Sequence, residues 1–211
     1  MAAIMNRFAA SAFLSLALAL GTAADPALAA TATAAAAATA APTAPDALIQ
    51  ELGNQATSIS QDKGLSDDQR TEKFRAILAR HMDTQAMAQV ALGRFWAKAS
   101  EAERADYVAT YRDYLIKVYG RRLRDLGDSR VELAASRQVG ADDVIVDTRL
   151  VSGADVIPLS FRVLKRAGSN LIIDVLAEGT SILVTQREEF AAVIKASGSV
   201  AGLTEKLKTI Q

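Results

Sequence analysis

Hydrophobic and polar positions follow a helical period through residues 46–126. Phe74, Ile77 and Leu78 fall on one face of a helix. A longer run repeats at spacings of three, four and seven, the pattern of an amphipathic helix with a wide apolar stripe: Tyr107, Val108, Tyr111, Leu115, Val118, Tyr119 and Leu126. The first half of the folded region is therefore predicted to be helical.

Short polar and glycine signals mark where these helices begin and end. Asp46 can cap a first helix that reaches about residue 61, and Asp83 can cap a short third helix. Ser66–Gln69 and Ser100–Glu103 have the spacing of a capping box, in which side chain and backbone at a helix start satisfy each other. Gly93 is placed to end the third helix.

Between residues 129 and 184 the apolar period shortens to two, which is typical of β-strands with one buried face. Four segments alternate in this way: Val131–Leu133, Val144–Leu150, Leu159–Val163 and Leu171–Ala177. Short turn-like breaks separate them, so consecutive strands are expected to pair as an antiparallel meander. Pro158 lacks a backbone N–H and therefore predicts an edge position or a bulge.

Helical spacing returns after the strands. Thr185–Glu188 predicts the cap of a helix that runs to about Ser197, Gly198 is placed to stop it, and a last helix runs to the end. Helices followed by a sheet and two more helices indicate an α+β fold. We expect a curved antiparallel β-sheet of about four to five strands covered by several α-helices, with a deep apolar cavity between the helices and the sheet.

The first 45 residues have the composition of an export signal and a linker. Arg7 gives a positive start, and residues 9–20 form an apolar run that is short of the roughly 20 residues needed to span a bilayer. Small-residue cleavage sites such as Ala27-Leu28-Ala29 follow. We predict a signal peptide over residues 1–29, a disordered Ala/Thr/Pro-rich leader over 30–45, and one soluble periplasmic domain over 46–211.

Composition and charge narrow the classes of function. The chain has 24 basic and 24 acidic residues and no net charge, which argues against nucleic acid as a main partner. It has no cysteine and one histidine, which excludes disulfides, thiolate catalysis and multi-histidine metal sites. No G-x-S-x-G motif and no phosphate-cradling glycine loop occurs. We therefore expect no catalytic residue, no metal and no cofactor.

The remaining candidate catalytic groups have structural interpretations. His81, near a helix end, favours a cationic or hydrogen-bonding role at that end. Asp174 and Glu178 stand on the polar side of a strand, where cross-strand ion pairs with Arg149 or Arg162 are the favoured interpretation.

The apolar helix face and the apolar sheet face allow two interpretations. They form a filled core, or they line a cavity for an apolar ligand. The same choice applies to Phe95 and Trp96, which stand together on a short connector in a chain with few aromatic residues. The residue pattern alone leaves both open.

Two segments of the chain resemble the MlaC/toluene-tolerance family of periplasmic phospholipid-binding proteins. The first is HMDTQAMAQVALGRFWAKASEAERADYVATYRDYLIKVYG and the second is IIDVLAEGTSILVTQREEFAAVIKASG. The second matches an Asp-x-x-x-Glu-Gly-x-Ser turn and an Arg-x-x-Phe helix through Asp174, Glu178, Gly179, Ser181, Arg187 and Phe190. The resemblance covers about residues 46–208, with departures at Met82 and Leu171, where relatives usually carry aromatic residues.

The resemblance implies a soluble periplasmic carrier without catalytic activity, part of an ABC-type transport system that maintains outer-membrane lipid asymmetry. It implies an inner-membrane MCE-domain/ABC transporter complex and an outer-membrane lipoprotein complex as partners, with phospholipid as cargo and a monomeric chain. It also implies that the acyl chains bind in the cavity against apolar residues of both faces: Phe95, Val108, Tyr111, Leu115, Val118, Tyr119, Val146, Phe161, Val163, Ile173 and Val175.

Other functions remain open at this point. A carrier of this type could hold a hopanoid or another apolar ligand instead of phospholipid. A small isomerase or hydrolase in a cone-shaped α+β fold would need an acid or base on the apolar face, and a non-catalytic adaptor would have a filled core. Arg121, Arg122 and Arg124 fit a solvated helix end, an acidic partner or lipid head groups.

Overall fold

Within the part of the chain that the structure describes, four α-helices precede the sheet, as the hydrophobic pattern predicts. The computed structural model describes residues 44–120, 128–166 and 168–210. Within them the helices are α1 (Ala44–Gln61), α2 (Asp67–His81), α3 (Thr84–Leu92) and α4 (Glu101–Gly120), and a 3₁₀-helix (Gly93–Lys98) joins α3 to α4. The predicted signal peptide and most of the predicted leader lie outside the described residues, as do Arg121, Arg122, Arg124 and Leu126.

The predicted helix starts at Ser66 and Ser100 are confirmed. Ser66 Oγ accepts a hydrogen bond from the Gln69 N–H at 3.2 Å, while Gln69 Oε1 accepts one from the Ser66 N–H at 2.8 Å. Ser100 and Glu103 exchange the same pair of bonds, at 3.2 and 2.8 Å. Each box satisfies two backbone donors that a helix start leaves without partners.

The predicted cap at Asp46 is wrong, because α1 begins at Ala44. Pro45 suits the first helical turn, where its missing N–H would have had no partner, so the helix extends past the expected start. Asp46 lies in the first turn instead, where its negative charge interacts favourably with the positive end of the helix dipole. The predicted cap at Asp83 is confirmed, since its Oδ1 accepts from the Ala86 N–H at 2.9 Å.

The sheet has five antiparallel strands in the order of the sequence. They are β1 (Arg130–Gly140), β2 (Asp143–Ser152), β3 (Asp155–Arg166), β4 (Ser169–Ala177) and the short β5 (Thr180–Ser181). Two helices follow, α5 (Ile182–Ser197) and α6 (Val200–Lys208). The predicted α+β class and antiparallel meander are confirmed.

Pro158 takes a local edge position within β3 and forms no bulge. The pairing of β2 with β3 continues without a shift through Arg149 and Pro158. The pairing of β3 with β4 ends at Leu159 and Ala177. Pro158 O accepts from the Glu178 N–H at 3.0 Å. The backbone N and O of one strand residue point to the same side of the strand. The N–H that Pro158 lacks would therefore point to the side where β4 has ended, so no hydrogen bond of the sheet is lost.

The predicted cap of α5 at Thr185 is wrong, because the helix begins at Ile182 with Ser181 as its cap. Ser181 Oγ accepts from the Val184 N–H at 3.1 Å and donates to Asp174 Oδ2 at 2.6 Å. The cap is therefore supported by a residue of β4, which a local sequence pattern does not reveal. Gly198 ends the helix in the left-handed region, at φ 80, as predicted.

The strand register divides the sheet into two faces of different chemistry. We define the inner face as the one packed against α1; on the central strands it consists of Val144, Val146, Thr148 and Leu150 of β2 and Ile157, Leu159, Phe161 and Val163 of β3. The outer face carries charged residues. On it, Arg162 pairs with Asp143 at 2.5 Å and Arg137 pairs with Asp147 at 3.5 Å.

A β-bulge in β4 keeps two apolar residues of that strand on the inner face. Val163 of β3 opposes Ile172, and Phe161 opposes Val175, so Ile172 and Val175 share the inner face. The extra residue between these pairs is Ile173. Strict alternation would have placed Ile173 beside Val175, which is the arrangement that the sequence pattern predicts.

Buried apolar residues form two main clusters. The helical core joins α2 to α6 and centres on Tyr107, Tyr111, Leu115 and Phe190. The sheet core consists of Ile49, Val146, Val163 and Ile172. Met82, at the end of α2, packs against both clusters and pairs with Ile172 in a parallel β-bridge.

Candidate functional site

The inner face of the sheet changes from buried to exposed along its length. Val146 and Val163 are 0% and 1% exposed, whereas Ile157, next to the turn between β2 and β3, is 40% exposed. Between them, Thr148 is buried, and Leu150, Leu159 and Phe161 are half-buried. We define the open end of the inner face as the apolar residues on this exposed side: Leu150, Ile157, Leu159, Phe161 and Val175.

The open end carries no charged side chain. The neighbouring Thr148 is buried, and its hydroxyl donates to Leu159 O at 2.9 Å. That hydrogen bond leaves the face without a free polar group at this position. An apolar molecule that covered the open end would be stabilised by about 25 cal/mol for each Å² of apolar surface removed from water.

Helix α1 lies along β1, from Ser136 beside the buried end of the inner face to Val131, the cross-strand partner of Leu150. Ile49 is fully buried in the sheet core, and Asp46 at the helix start accepts a hydrogen bond from the Ser136 hydroxyl of β1. Further along, a Cβ on Gly53 would lie 2.8 Å from Val131 Cβ. The helix can approach the strand this closely because Gly53 has no side chain.

The helical core is closed by packed aromatic rings. Tyr107 and Tyr111 are fully buried, and the Phe190 ring meets both edge-on, at centroid distances of 6.5 and 6.2 Å. The Tyr107 hydroxyl donates to Ala88 O at 3.2 Å, and the Tyr111 hydroxyl donates to Gln186 Oε1 at 2.7 Å. Burial raises the pKa of both tyrosines far above the usual value, so the hydroxyls stay protonated and act as donors.

The structure places the predicted lipid-binding residues in two separate regions. Four of them lie on the inner face of the sheet: Val146, Phe161, Val163 and Val175. Five belong to the helical core or pack against it: Phe95, Val108, Tyr111, Leu115 and Tyr119. Val118 is a half-buried residue of α4, and Ile173 is the bulge residue of β4. Their predicted role in binding lipid stays a prediction.

Phe95 and Trp96 are half-buried on the 3₁₀-helix, and both pack against the helical core. The Arg94 guanidinium lies over the Phe95 ring at 5.1 Å, and the Arg104 guanidinium lies over the Trp96 ring at 5.3 Å. Arg104 Nε also donates to Trp96 O at 2.9 Å. Arg104 thus fastens the connector to α4 by one cation–π contact and one hydrogen bond, whereas the contact of Arg94 with Phe95 lies within the connector.

The predicted lipid-binding set leaves out several residues of the inner face. Leu150 and Leu159 belong to the predicted alternating strands, so the period-two pattern could have added both to the set. Ile172 could not be found in this way, because the bulge shifts the alternation. Ile49 of α1 was also missed, since nothing in its local pattern shows that α1 packs on the sheet.

His81 is buried at the end of α2 with 4% exposure. Burial lowers the pKa of its imidazole, with smaller opposing contributions from Glu51, which raises it, and Arg80, which lowers it. Among the described residues its Nε2 has no hydrogen-bond partner. Burial thus favours the neutral ring over the predicted cationic role, and the alternative hydrogen-bonding role at the helix end stays a prediction.

The Asp174 carboxylate fixes the start of α5 and makes none of the predicted ion pairs. Its Oδ1 accepts from the Val175 N–H at 2.8 Å, and its Oδ2 accepts from the Ser181 hydroxyl at 2.6 Å. Arg162, one of the expected partners, pairs with Asp143 instead. The Asp-x-x-x-Glu-Gly-x-Ser motif thus acts as a structural staple between β4 and α5.

A shallow groove of about 550 Å³ lies between the second half of α1 and the start of β1. Its lining is mostly polar: Asn54, Thr57, Ser58, Gln61, Asp62, Arg130 and Val131. This groove therefore differs in chemistry from the apolar cavity that the sequence predicts, which stays a prediction.

Two further findings concern metal binding and membrane crossing in the described part of the chain. No group of three or more histidine, aspartate or glutamate side chains is placed there to hold a metal ion. None of the described helices is long and apolar enough to cross a membrane.

The fold and the inner face together define an α+β domain with an apolar, uncharged and partly uncovered sheet surface. Comparison with known families then identifies the chain: residues 46–209 match the profile described as MlaC protein, and the chain belongs to the MlaC family. The suspected resemblance is thereby confirmed.

A solved structure from Ralstonia solanacearum has a similar fold. It is described as a phospholipid-binding protein in complex with a phospholipid. The two chains are 22% identical, with a TM-score of 0.69 over 77% of this chain and 93% of the other. This likeness independently supports the α+β architecture.

Proposed function

We propose that the chain is a phospholipid carrier that binds acyl chains on the open end of the inner face and catalyses no reaction. The single observation that carries this proposal is the row Leu150, Leu159, Phe161 and Val175, which is apolar and uncharged but left partly uncovered by the helices. Membership of the MlaC family and the phospholipid named with the Ralstonia solanacearum structure support the same cargo.

The energetics of the cargo favour such a surface. Each CH₂ group removed from water contributes about 0.8 kcal/mol, so two acyl chains of about 16 carbons represent roughly 25 kcal/mol. A carrier must keep nearly all of this surface from water. An uncharged sheet face that already lies half-buried supplies part of the cover, and the polar head group can remain in solvent.

Membership of the MlaC family and the predicted signal peptide support a proposal for the wider role. We propose a periplasmic carrier that moves lipid between an outer-membrane lipoprotein complex and an inner-membrane MCE-domain/ABC transporter complex, and so maintains outer-membrane lipid asymmetry. A hopanoid or another apolar molecule is an alternative cargo for the same face. A protein adaptor without cargo is the alternative from a different class.

Native mass spectrometry of the purified mature protein, with analysis of its organic extract, tests the proposal. We expect diacyl phospholipid at near-unit stoichiometry. A hopanoid in the extract would change the cargo and keep the carrier. A mass without ligand, combined with failure to take up lipid from vesicles, would contradict the proposal and favour the adaptor.

A further inference from the structure

The hairpin formed by β2 and β3 ends in an apex of exposed aliphatic residues. Val156 is 52% exposed and Ile157 is 40% exposed. Their cross-strand partners are Val151 and Leu150. Gly153 turns the chain between the strands at φ 59. We define the hairpin apex as residues 150–157.

The hairpin apex carries an apolar cross-strand pair on each of its two faces. Ile157 opposes Leu150 on the inner face, and Val156 opposes Val151 on the outer face. Elsewhere the outer face of these two strands carries charge, at positions such as Asp147 and Arg162. The change from a charged outer face to an apolar one is therefore confined to the end of the hairpin.

The apex is continuous with the inner face. Ile157, Leu159, Phe161 and Val163 are alternate residues of β3, so they form one apolar row. Along this row exposure falls from 40% at Ile157 to 1% at Val163. An apolar track therefore leads from solvent at the apex to the sheet core.

We propose that the hairpin apex enters the interfacial region of a lipid bilayer. A protein partner would cover one face of a two-stranded hairpin, whereas a bilayer surrounds an inserted apex on both faces. The exposed aliphatic side chains on opposite faces, Val156 and Ile157, fit the second environment. The row that begins at Ile157 would then connect the acyl region of the bilayer to the inner face.

The backbone and the charges of the hairpin limit how deeply it can enter. On the side of β4, Pro158 is the last residue of β3 with a backbone hydrogen bond, which it accepts from Glu178. The outward backbone groups nearer the turn therefore need water or head groups as partners. Asp155 stands at the turn, and Arg149 lies at the base of the apex. Arg149 can reach lipid phosphates while Val156 and Ile157 enter the interfacial region of the bilayer. Insertion at the level of the head groups satisfies all three features.

This inference rests on the proposed carrier function for its purpose, but its test does not require bound cargo. The chain contains no cysteine, so a single Val156→Cys variant can carry one environment-sensitive nitrobenzoxadiazole label. Vesicles of phosphatidylethanolamine and phosphatidylglycerol are added to the full mature chain. We expect the label emission to shift to the blue and to rise in intensity.

Val139→Cys is the matched control. Val139 is 46% exposed and lies near the turn between β1 and β2, at the opposite end of the sheet. Its label should not respond to vesicles. An equal response at both positions, or none at position 156, would overturn the proposal. A blue shift at position 156 that appears without vesicles and grows with protein concentration would also overturn it, in favour of self-association.

Lipid uptake provides a second readout. Val156→Glu places a charge on the outer face of the apex without touching the inner face. We expect uptake of fluorescent phospholipid from the same vesicles to slow about tenfold, while lipid acquired during expression still co-purifies with the variant. Val139→Glu should take up lipid at the wild-type rate. Unchanged uptake by Val156→Glu would contradict the proposal, whereas loss of co-purified lipid from the wild type would contradict the carrier function.

Discussion

The helical core and the inner face of the sheet differ in residue type and in burial. The helical core uses large aromatic side chains that are fully buried, with both tyrosine hydroxyls paired. The inner face uses mainly aliphatic residues, and its open end is left half-buried. The first region is a closed packing unit, and the second is an apolar surface that still lacks part of its cover.

We expect stability and ligand binding to depend on different regions of this domain. Buried aromatic packing with satisfied hydroxyls stabilises the fold. An uncharged and incompletely covered face contributes less to stability and can accept an apolar ligand. Substitutions in the helical core should therefore change stability first, and substitutions at the open end should change lipid retention first.

The largest effect is expected from Tyr111→Ala. This change removes a fully buried ring and leaves Gln186 Oε1 without its donor, so we expect a loss of about 4 kcal/mol in the free energy of unfolding. Urea unfolding followed by circular dichroism measures it. Tyr111→Phe keeps the ring and should cost only about 1 kcal/mol. A small loss for Tyr111→Ala would show that the helical core is not closed.

The next largest effect is expected from Asp174→Ala. It removes the acceptor of the Ser181 hydroxyl and of the Val175 N–H, and we expect a loss of about 2 kcal/mol. Ser181→Ala is the matched variant and should lose about 1 kcal/mol as a missing helix cap. Because the two groups share a hydrogen bond, the double variant should lose less than the sum of both. If the losses of the two single variants add up to that of the double variant, Asp174 and Ser181 do not act together in joining β4 to α5.

These two positions also show what the sequence could predict. The capping boxes, the stops at Gly93 and Gly198, and the alternation of the strands are local signals, and the structure confirms them. The start of α5 depends on Asp174, which contacts Ser181 only after β4 and α5 have packed. The bulge at Ile173 likewise follows from pairing with β3, so a strict period of two assigned the wrong residue to the inner face.

The sequence pattern also does not show that the buried residues form two separate regions. Tyr111 and Val163 both belong to strongly periodic segments, and periodicity shows only that each is buried. Which segment packs against which is a tertiary property. The helical face of α4 packs mainly on other helices, and the inner face is covered in part by α1.

His81 produces a smaller, pH-dependent effect near the junction of the two regions. Burial lowers the pKa of its imidazole in the folded protein, while the unfolded chain keeps a value near 6.5. As the pH falls below about 6.5, the unfolded chain binds the proton first, so stability decreases. It should fall by up to about 1.4 kcal/mol for each pH unit until the folded pKa is reached.

Two measurements isolate this effect. The chain has one histidine, so a single imidazole resonance reports its pKa in the folded protein. The difference in unfolding free energy between the wild type and His81→Leu should widen in favour of the variant from pH 7 to pH 5. Glu51 and Arg80, which act on the ring in opposite directions, are unchanged in this comparison. A folded pKa at or above 6.5 would contradict the prediction.

The smallest effect on stability is expected at the open end. Phe161→Ser should lower the free energy of unfolding by only about 1 kcal/mol, because the ring is half-buried. The same variant should lose most of its co-purified phospholipid, measured by native mass spectrometry. Tyr111→Phe is the control, since it should retain lipid. Full lipid retention by Phe161→Ser would remove the open end from the binding site.

The most direct measurement loads the mature protein with a phospholipid that carries a photoreactive diazirine on its acyl chain and maps the adducts by mass spectrometry. The proposed binding face predicts adducts on Leu150, Leu159, Phe161 and Val175 of the open end. It predicts none on Tyr107 or Tyr111. Adducts concentrated on those two tyrosines, with the open end unlabelled, would contradict the assignment of the acyl chains to the sheet.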